Sequence, residues 1–348
     1  MNSEIITDIE YSHTGRRRSR RRRRLLGRLL FLIFGLLALT GILYWRSFGD
    51  LFRDRYTVQS RTESVLAESV SRAQLPPFGA ELSVIVQTAD EETALTAQSA
   101  LLIEEGMPEA LFSKNALLRM NPASTTKIMT CLIALERGDM AELWTAGNEI
   151  YVSEPNASMA GIREGDTLTA EQVLYGLMLR SGADTANMAA LHIAGSEEAF
   201  VALMNEKAQM IGATGTHFTN THGLTDPEHY TTAYDIYLML HEAMKYELFR
   251  KIAGTAVYQA DYTDGSGNPV SRRWENTNYY LKGKALLPDG FHVVAGKTGT
   301  TLAAGACLAQ VSQNGEGPLL YSVVLKSRNH DSLYQDTSAV LEKIAHLD

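Results

Sequence analysis

Hydrophobic positions along the chain fall into three regimes. Leu29 to Trp45, "LLFLIFGLLALTGILYW", is an uncharged apolar run closed by Tyr44 and Trp45. Its length is at the short end of the roughly 17–25 residues that span a bilayer, and its terminal aromatics suit a membrane interface. It predicts a transmembrane helix over residues 29–45. From Leu82 the runs shorten: "LSVIVQ" at Leu82 to Gln87 and "AQSALLI" at Ala97 to Ile103 predict strands joined by a polar turn.

The middle of the chain then repeats at the helical period. Pro122 opens one apolar helix. Thr169 and Gln172 stand at capping-box spacing ahead of Val173, Leu174, Leu177 and Met178, which share one face. Phe200, Leu203, Met204, Ala208 and Ile211 form the next stripe, after Ser196. Thr232 and Asp235 open another, with Ile236, Met239, Leu240 and Ala243 on its core side. Strand signals return at Phe291 to Ala295, Ala304 to Gln310 and Leu319 to Lys326, ahead of a final amphipathic helix carrying Leu333, Val340, Leu341 and Ile344. Strands at both ends with helices between predict one sheet assembled from distant parts of the chain, with a helical lobe inserted in the middle.

Charge divides the chain the same way. Met1 to Ser47 holds ten arginines and three acids, +7, while the whole chain is −8, so the remainder carries −8 − 7 = −15. An acidic body of this kind excludes nucleic acid as a natural partner. Arginines on the N-terminal side of the apolar run predict a cytoplasmic N-terminus and an extracytoplasmic body. A cleaved signal peptide is the alternative, with "SFG" at Ser47 to Gly49 as a faint site, but the apolar run exceeds an h-region of about 7–15 residues. The expected organisation is a basic arm (1–28), an anchor (29–45), a polar stalk (46–76) and a folded domain (77–348), held at the N-terminus and stopping after its last helix. Composition, 45% hydrophobic and 21% charged over 348 residues, suits a folded core. Cys131 and Cys307 read as two free, buried thiols, one disulfide between them being the alternative.

The chemistry starts at "NPASTTKIMT". Ser124 and Lys127, three residues apart at a helix start, project on one face. A serine hydroxyl needs a base within hydrogen-bond reach, and lysine serves only when desolvation or a neighbouring cation makes it neutral. Ile128, Met129, Cys131, Leu132 and Ile133 supply the apolar setting. Two further pieces join the pair. "RSGAD" places Ser181 at a break between helices, and "AGKTGTT" places Lys297, Thr298 and Gly299 at the end of a strand. A cation, a hydroxyl and a glycine suit an anionic peptide end: Lys297 attracts a carboxylate, Thr298 donates to it, and Gly299 permits close backbone approach.

"PASTTK", "SGAD" and "KTGTT" resemble the three signature elements of the penicillin-recognising serine enzymes. "HFTNTHGLTDPEHYTTAYD", Gly165-Asp166, "NTN" at Asn276 to Asn278 and "SRNHDS" narrow the resemblance to D-alanyl-D-alanine carboxypeptidases, low-molecular-weight penicillin-binding proteins, over roughly Leu82 to Ala345. The resemblance implies an α/β (α+β) fold of the β-lactamase/transpeptidase type, an antiparallel sheet flanked by helices. It implies Ser124 as nucleophile, Lys127 as base, Ser181 as proton relay, and Lys297 and Thr298, with Arg328, holding the terminal carboxylate. The backbone N–H groups of Ser124 and Thr300 would form an oxyanion hole. The implied substrate is a peptidoglycan stem peptide ending in D-Ala-D-Ala, β-lactams would be covalent inhibitors, and no metal or cofactor is called for.

One position departs from the pattern. The second element usually reads S-x-N, and its third residue here is Ala183, which predicts altered acylation; Asn187, one helical turn on, is a candidate substitute. A non-catalytic peptide-binding homologue is the alternative that Ala183 supports. A zinc peptidase would draw on His217, His222, His229 and Asp226, whose spacing matches no standard zinc pattern. An anchored β-lactamase would need a deacylating carboxylate that the sequence does not reveal.

Overall fold

A computed structural model describes Ser83, residues 94–154 and residues 157–346 of the chain. These lie in one compact unit, Phe78–Asp348. The predicted arm, membrane helix and stalk, and most of the strand expected at Leu82 to Gln87, lie outside the described residues. Among the described residues no helix is long and apolar enough to cross a membrane.

Nine strands are described: β1 (Ser99–Glu104), β2 (Phe112–Lys114), β3 (Leu143–Thr145), β4 (Thr167–Thr169), β5 (Val257–Thr263), β6 (Pro269–Glu275), β7 (Phe291–Thr301), β8 (Gly305–Asn314) and β9 (Leu319–Ser327). The helices are α1 (Lys127–Arg137), α2 (Ala170–Leu179), α3 (Ala183–Ala194), α4 (Glu197–Met210), α5 (Ala233–Ala243), α6 (Glu247–Ala253) and α7 (His330–Leu341). The main sheet runs β2-β1-β9-β8-β7, antiparallel at every pairing. The expected sheet from both ends of the chain is therefore present, with β1 paired to β9.

Both faces of that sheet are covered, which explains the unbroken apolar runs of its central strands. Leu101 and Ile103 of β1, with Tyr321, Val323 and Leu325 of β9, turn to the core shared with the helical lobe. Ala100 and Leu102, with Leu320 and Val324, turn to the smaller core under α7. Each such fully buried aliphatic side chain contributes about 1.5–3 kcal/mol of transfer free energy. Buried Asp336 of α7 ties the ends together. It accepts from the backbone N–H groups of Thr96 and Ala97, from the Thr96 hydroxyl and from the Ser327 hydroxyl.

The helical lobe follows its caps. Thr169 and Gln172 form the predicted capping box on α2, Ser196 caps α4 through Ala199, and Thr232 caps α5 through Asp235. Helix α1 is buried on every side from Lys127 to Ala134, and it packs against α2, α3 and α5. The final helix ends at Leu341, and Ile344 sits on a following 3₁₀ turn, Glu342–His346. A second sheet, β3-β4-β5-β6, was not among the elements expected from the pattern. Two of its strands have three residues, too few to show a period of two, and the β5–β6 hairpin buries only Ala260, Tyr262 and Trp274 fully.

Candidate active site

The serine at the start of the first motif does not stand on the α-helix itself. Ala123–Thr126 form a 3₁₀ turn ahead of α1, and Ala123 takes a left-handed φ of 48° that swings the chain into it. Thr125 and Thr126 fix the turn by donating their hydroxyls to the carbonyls of Pro122 and Ala123. Three residues still bring the two side chains together: Lys127 Nζ lies 3.2 Å from Ser124 Oγ. The amine also donates to the carbonyl of His222 at 2.5 Å. Lys127 is 2% exposed, and this desolvation, only partly offset by the charge of Asp184, lowers its pKa to about 7. A neutral amine beside a hydroxyl is a proton acceptor.

Ser181 occupies the link between α2 and α3 with a left-handed φ of 57°. It meets the third motif directly: Lys297 Nζ donates to Ser181 Oγ at 3.0 Å and to its own neighbour's carbonyl, Thr298 O, at 2.7 Å. Lys297 is 1% exposed, and burial, followed by the nearby Lys127 charge, pushes its pKa well below the ordinary lysine value. Lys297, Thr298 and Gly299 lie within β7 rather than at its end, since the strand continues through Thr300 and Thr301. Thr298 Oγ1 is 2.5 Å from Thr277 Oγ1 of the "NTN" segment.

Gly299 has a reason beyond the one expected. A β-carbon there would lie 2.9 Å from the Ser124 backbone nitrogen and 3.0 Å from the Pro122 carbonyl oxygen, so the strand and the serine turn pack backbone to backbone. Thr300 and Arg328 sit on the rim, both exposed. Thr300 Oγ1 is 3.4 Å from His330 Nε2, and the Arg328 backbone N–H donates to Thr96. The two serines and the two lysines thus form two Ser–Lys pairs, with Thr298 beside Lys297, while the Arg328 side chain lies exposed outside these contacts.

Two functional features were not read from the sequence. Asp184, wholly buried, accepts from the backbone N–H groups of Ala160, Gly161, Ile162 and Thr185, pinning a loop against the start of α3. Its charge is also the one that supports protonation of Lys127. The His222 carbonyl is the second: Asn220 accepts from the N–H groups of His222 and Gly223, and Thr221 donates to Asn187. Asn187 is therefore committed to Thr221 and to the Glu149 carbonyl, and it does not fill the place that Ala183 vacates.

The histidines of this loop are structural partners. His229 Nε2 is 2.9 Å from the Thr126 hydroxyl, and His217 Nδ1 is 2.7 Å from the Glu228 carbonyl. Burial, then Lys127 and His229, lowers His222 to about 3; it is neutral, and its 3.7 Å approach to Glu197 is not an ion pair. Among the described residues no group of three or more His, Cys, Asp or Glu could hold a metal ion. Cys131 and Cys307 are free and buried, the thiol of Cys307 pushed up to about 11.

A Ser–Lys pair before a buried helix, a serine between helices and a lysine-bearing edge strand are the three elements marked by the sequence motifs, brought together by the fold. The family described as D-alanyl-D-alanine carboxypeptidase matches residues 86–329, and the chain belongs to it. The chain is 38% identical over 231 residues to D-alanyl-D-alanine carboxypeptidase DacF of Bacillus subtilis, covering 64% of this chain and 56% of that one. It is 29% identical over 266 residues to a D-alanyl-D-alanine carboxypeptidase of Streptomyces sp. K15, covering 73% and 89%. The crystal structure of the Streptomyces K15 DD-transpeptidase superposes with a TM-score of 0.67 at 28% identity, over 72% of this chain and 97% of that one. The chain thus spans little more than half the length of the Bacillus relative.

Proposed function

We propose that this protein is a serine-type D-Ala-D-Ala carboxypeptidase that trims peptidoglycan stem peptides. The observation that carries the reading is the 3.2 Å contact between Ser124 Oγ and a Lys127 amine whose pKa burial has lowered to about 7. Lys127 takes the hydroxyl proton as Ser124 attacks the carbonyl between the two D-alanines. Backbone N–H groups of Ser124 and Thr300 stabilise the oxyanion, a contribution of about 2.7–4 kcal/mol per donor. The C–N bond breaks, the terminal D-alanine leaves with a proton relayed through Ser181, and an ester remains on Ser124. Water then hydrolyses the ester and restores the hydroxyl. These steps use side chains and backbone alone.

The terminal carboxylate is held by Lys297 and Thr298, with Arg328 at the rim. Burial, followed by the Lys127 charge, lowers the Lys297 pKa, and a carboxylate beside it would raise it again and favour the charged form. The His222 carbonyl, accepting from Lys127, gives the amine a hydrogen-bond partner where Ala183 offers none, which favours an active enzyme over a non-catalytic homologue. β-Lactams present the same carbonyl and carboxylate and acylate Ser124. The apolar run at residues 29–45, preceded by arginines, supports a single-pass anchor with the catalytic domain outside the cytoplasm.

The test is intact mass after incubation with benzylpenicillin, for wild type and for Ser124→Ala. A covalent adduct on the first and none on the second is expected. An adduct on both, or on neither, removes Ser124 as the nucleophile.

A further inference from the structure

Beside the catalytic residues lies a cavity of about 370 Å³ lined by Ala160, Arg180, Arg272, Arg273, Trp274 and Glu275. Its charge is out of keeping with the rest of the body. Three guanidinium groups face one carboxylate, and that carboxylate, Glu275, is paired with Arg273 at 3.0 Å. Among the described residues Arg180 and Arg272 have no ion-pair partner, in a body that carries −15 beyond Ser47. The positive field continues outward. Lys282 lies 5.0 Å over the Tyr279 ring, and the charges of Glu275 and Arg180 both reach its ammonium. The floor is fixed: the buried Trp274 indole donates to the Ala160 carbonyl, and Arg272 Nη1 approaches the same oxygen at 3.4 Å.

The chain joins the lining of the cavity to the active site at two points. Arg180 immediately precedes Ser181, within one Cα step of about 3.8 Å. On the other side β6 leads from Glu275 to Thr277, whose hydroxyl touches Thr298 and whose N–H donates to the Leu179 carbonyl. A peptide reacting between Ser124 and Thr298 has the cavity within reach. The leaving residue ends at the carboxylate held by Lys297, so no chain continues beyond it; any second anion must come from the acyl side.

We propose that this arginine cavity is a second anion site, which receives a free carboxylate carried by the peptide upstream of the scissile bond. The assignment rests on the carboxypeptidase reading and adds a substrate requirement to it. Guanidinium groups can pair with carboxylates in a planar fork, and Arg273 already meets Glu275 through one contact of 3.0 Å. Peptides with an upstream free acid are therefore preferred over their carboxamides.

The experiment compares two synthetic peptides ending in D-Ala-D-Ala, identical except that one upstream side chain is a free carboxylate or its carboxamide. Wild type should show kcat/KM about tenfold or more higher for the free acid. Arg180→Gln with Arg272→Gln, which removes the two guanidinium groups not paired with Glu275, should abolish that difference while leaving the benzylpenicillin acylation rate unchanged. Glu275→Gln, which frees Arg273, should widen it. Equal cleavage of both peptides by wild type, or an equal loss on both in the double variant, overturns the site. Calorimetric binding of the acid and amide fragments without their D-Ala-D-Ala ends provides a readout that needs no catalysis. Tighter binding of the acid fragment by wild type, lost in the double variant, supports the site even where penicillin fails to acylate. Equal binding, or a preference for a glycerol phosphate oligomer over the acid fragment, overturns it.

Discussion

Gly299 passes so close under Ser124 that a β-carbon on it would sit 2.9 Å from the serine's backbone nitrogen. The lysine-bearing strand and the serine turn are therefore set by one backbone contact. Replacing Gly299 with alanine should push that nitrogen away from its place in the oxyanion hole. The expected result for Gly299→Ala is at least about a hundredfold loss in the benzylpenicillin acylation rate. Overpacking should cost about 1–3 kcal/mol of stability. Stopped-flow acylation and thermal melts check both, and a rate within twofold of wild type counts against the contact.

Acylation should require Lys127 in its neutral form. With its pKa lowered to about 7 by burial, the acylation rate should rise about tenfold per pH unit below that value and level off above it. A flat profile on the acid side removes Lys127 as the base.

The same shift has a sign for stability. Between about 7 and the unfolded value of 10.5 the unfolded chain binds a proton at Lys127 that the native state does not. Stability therefore rises with pH across that window, by up to the order of 5 kcal/mol from this group. Lys127→Met should abolish that part of the slope in denaturant titrations while abolishing acylation. An unchanged slope would mean that the amine is charged in the native state.

Asp184→Asn should act on both stability and titration. Four backbone N–H groups point at this carboxylate, and an amide cannot accept all of them, so a loss of about 2–4 kcal/mol is expected. Because Asp184 raises the Lys127 pKa, its neutralisation lowers that value further. The acid limb of the acylation profile should move to lower pH. A movement to higher pH would contradict the assigned coupling.

Ala183→Asn tests the departure in the second motif. Lys127 already donates to the His222 carbonyl, so an added amide is expected to change acylation by no more than about threefold. A larger gain would show that the carbonyl is an inadequate replacement.

The helices and the chemistry were readable because their signals are local. Thr169 with Gln172 and Ser124 with Lys127 lie three residues apart, so one turn of chain decides each. The sheet's middle strands showed themselves as apolar runs because both faces are buried. What escaped depends on partners far away in sequence. Three-residue strands such as β3 and β4 exist only through their neighbours. The His222 carbonyl is a backbone atom, invisible to any reading by residue type, and meets Lys127 across 95 positions. Ala183 looked like a missing contact for the same reason. Asp184 was quoted within its motif, yet its four partners come from a loop that no periodicity marks.

The antiparallel sheet carries a consequence for timing. Thr96 and Asp336, 240 positions apart, meet in the same buried cluster, and β1 has no inner neighbour until β9 arrives. Such long-range pairing is slow to close. During synthesis, the serine turn emerges long before the strand that must lie beneath it. A chain interrupted ahead of Leu319 would hold Ser124, Lys127 and the Lys297 strand on one polypeptide and still lack the β9 platform between β1 and β8, so the site is complete only once β9 is laid down.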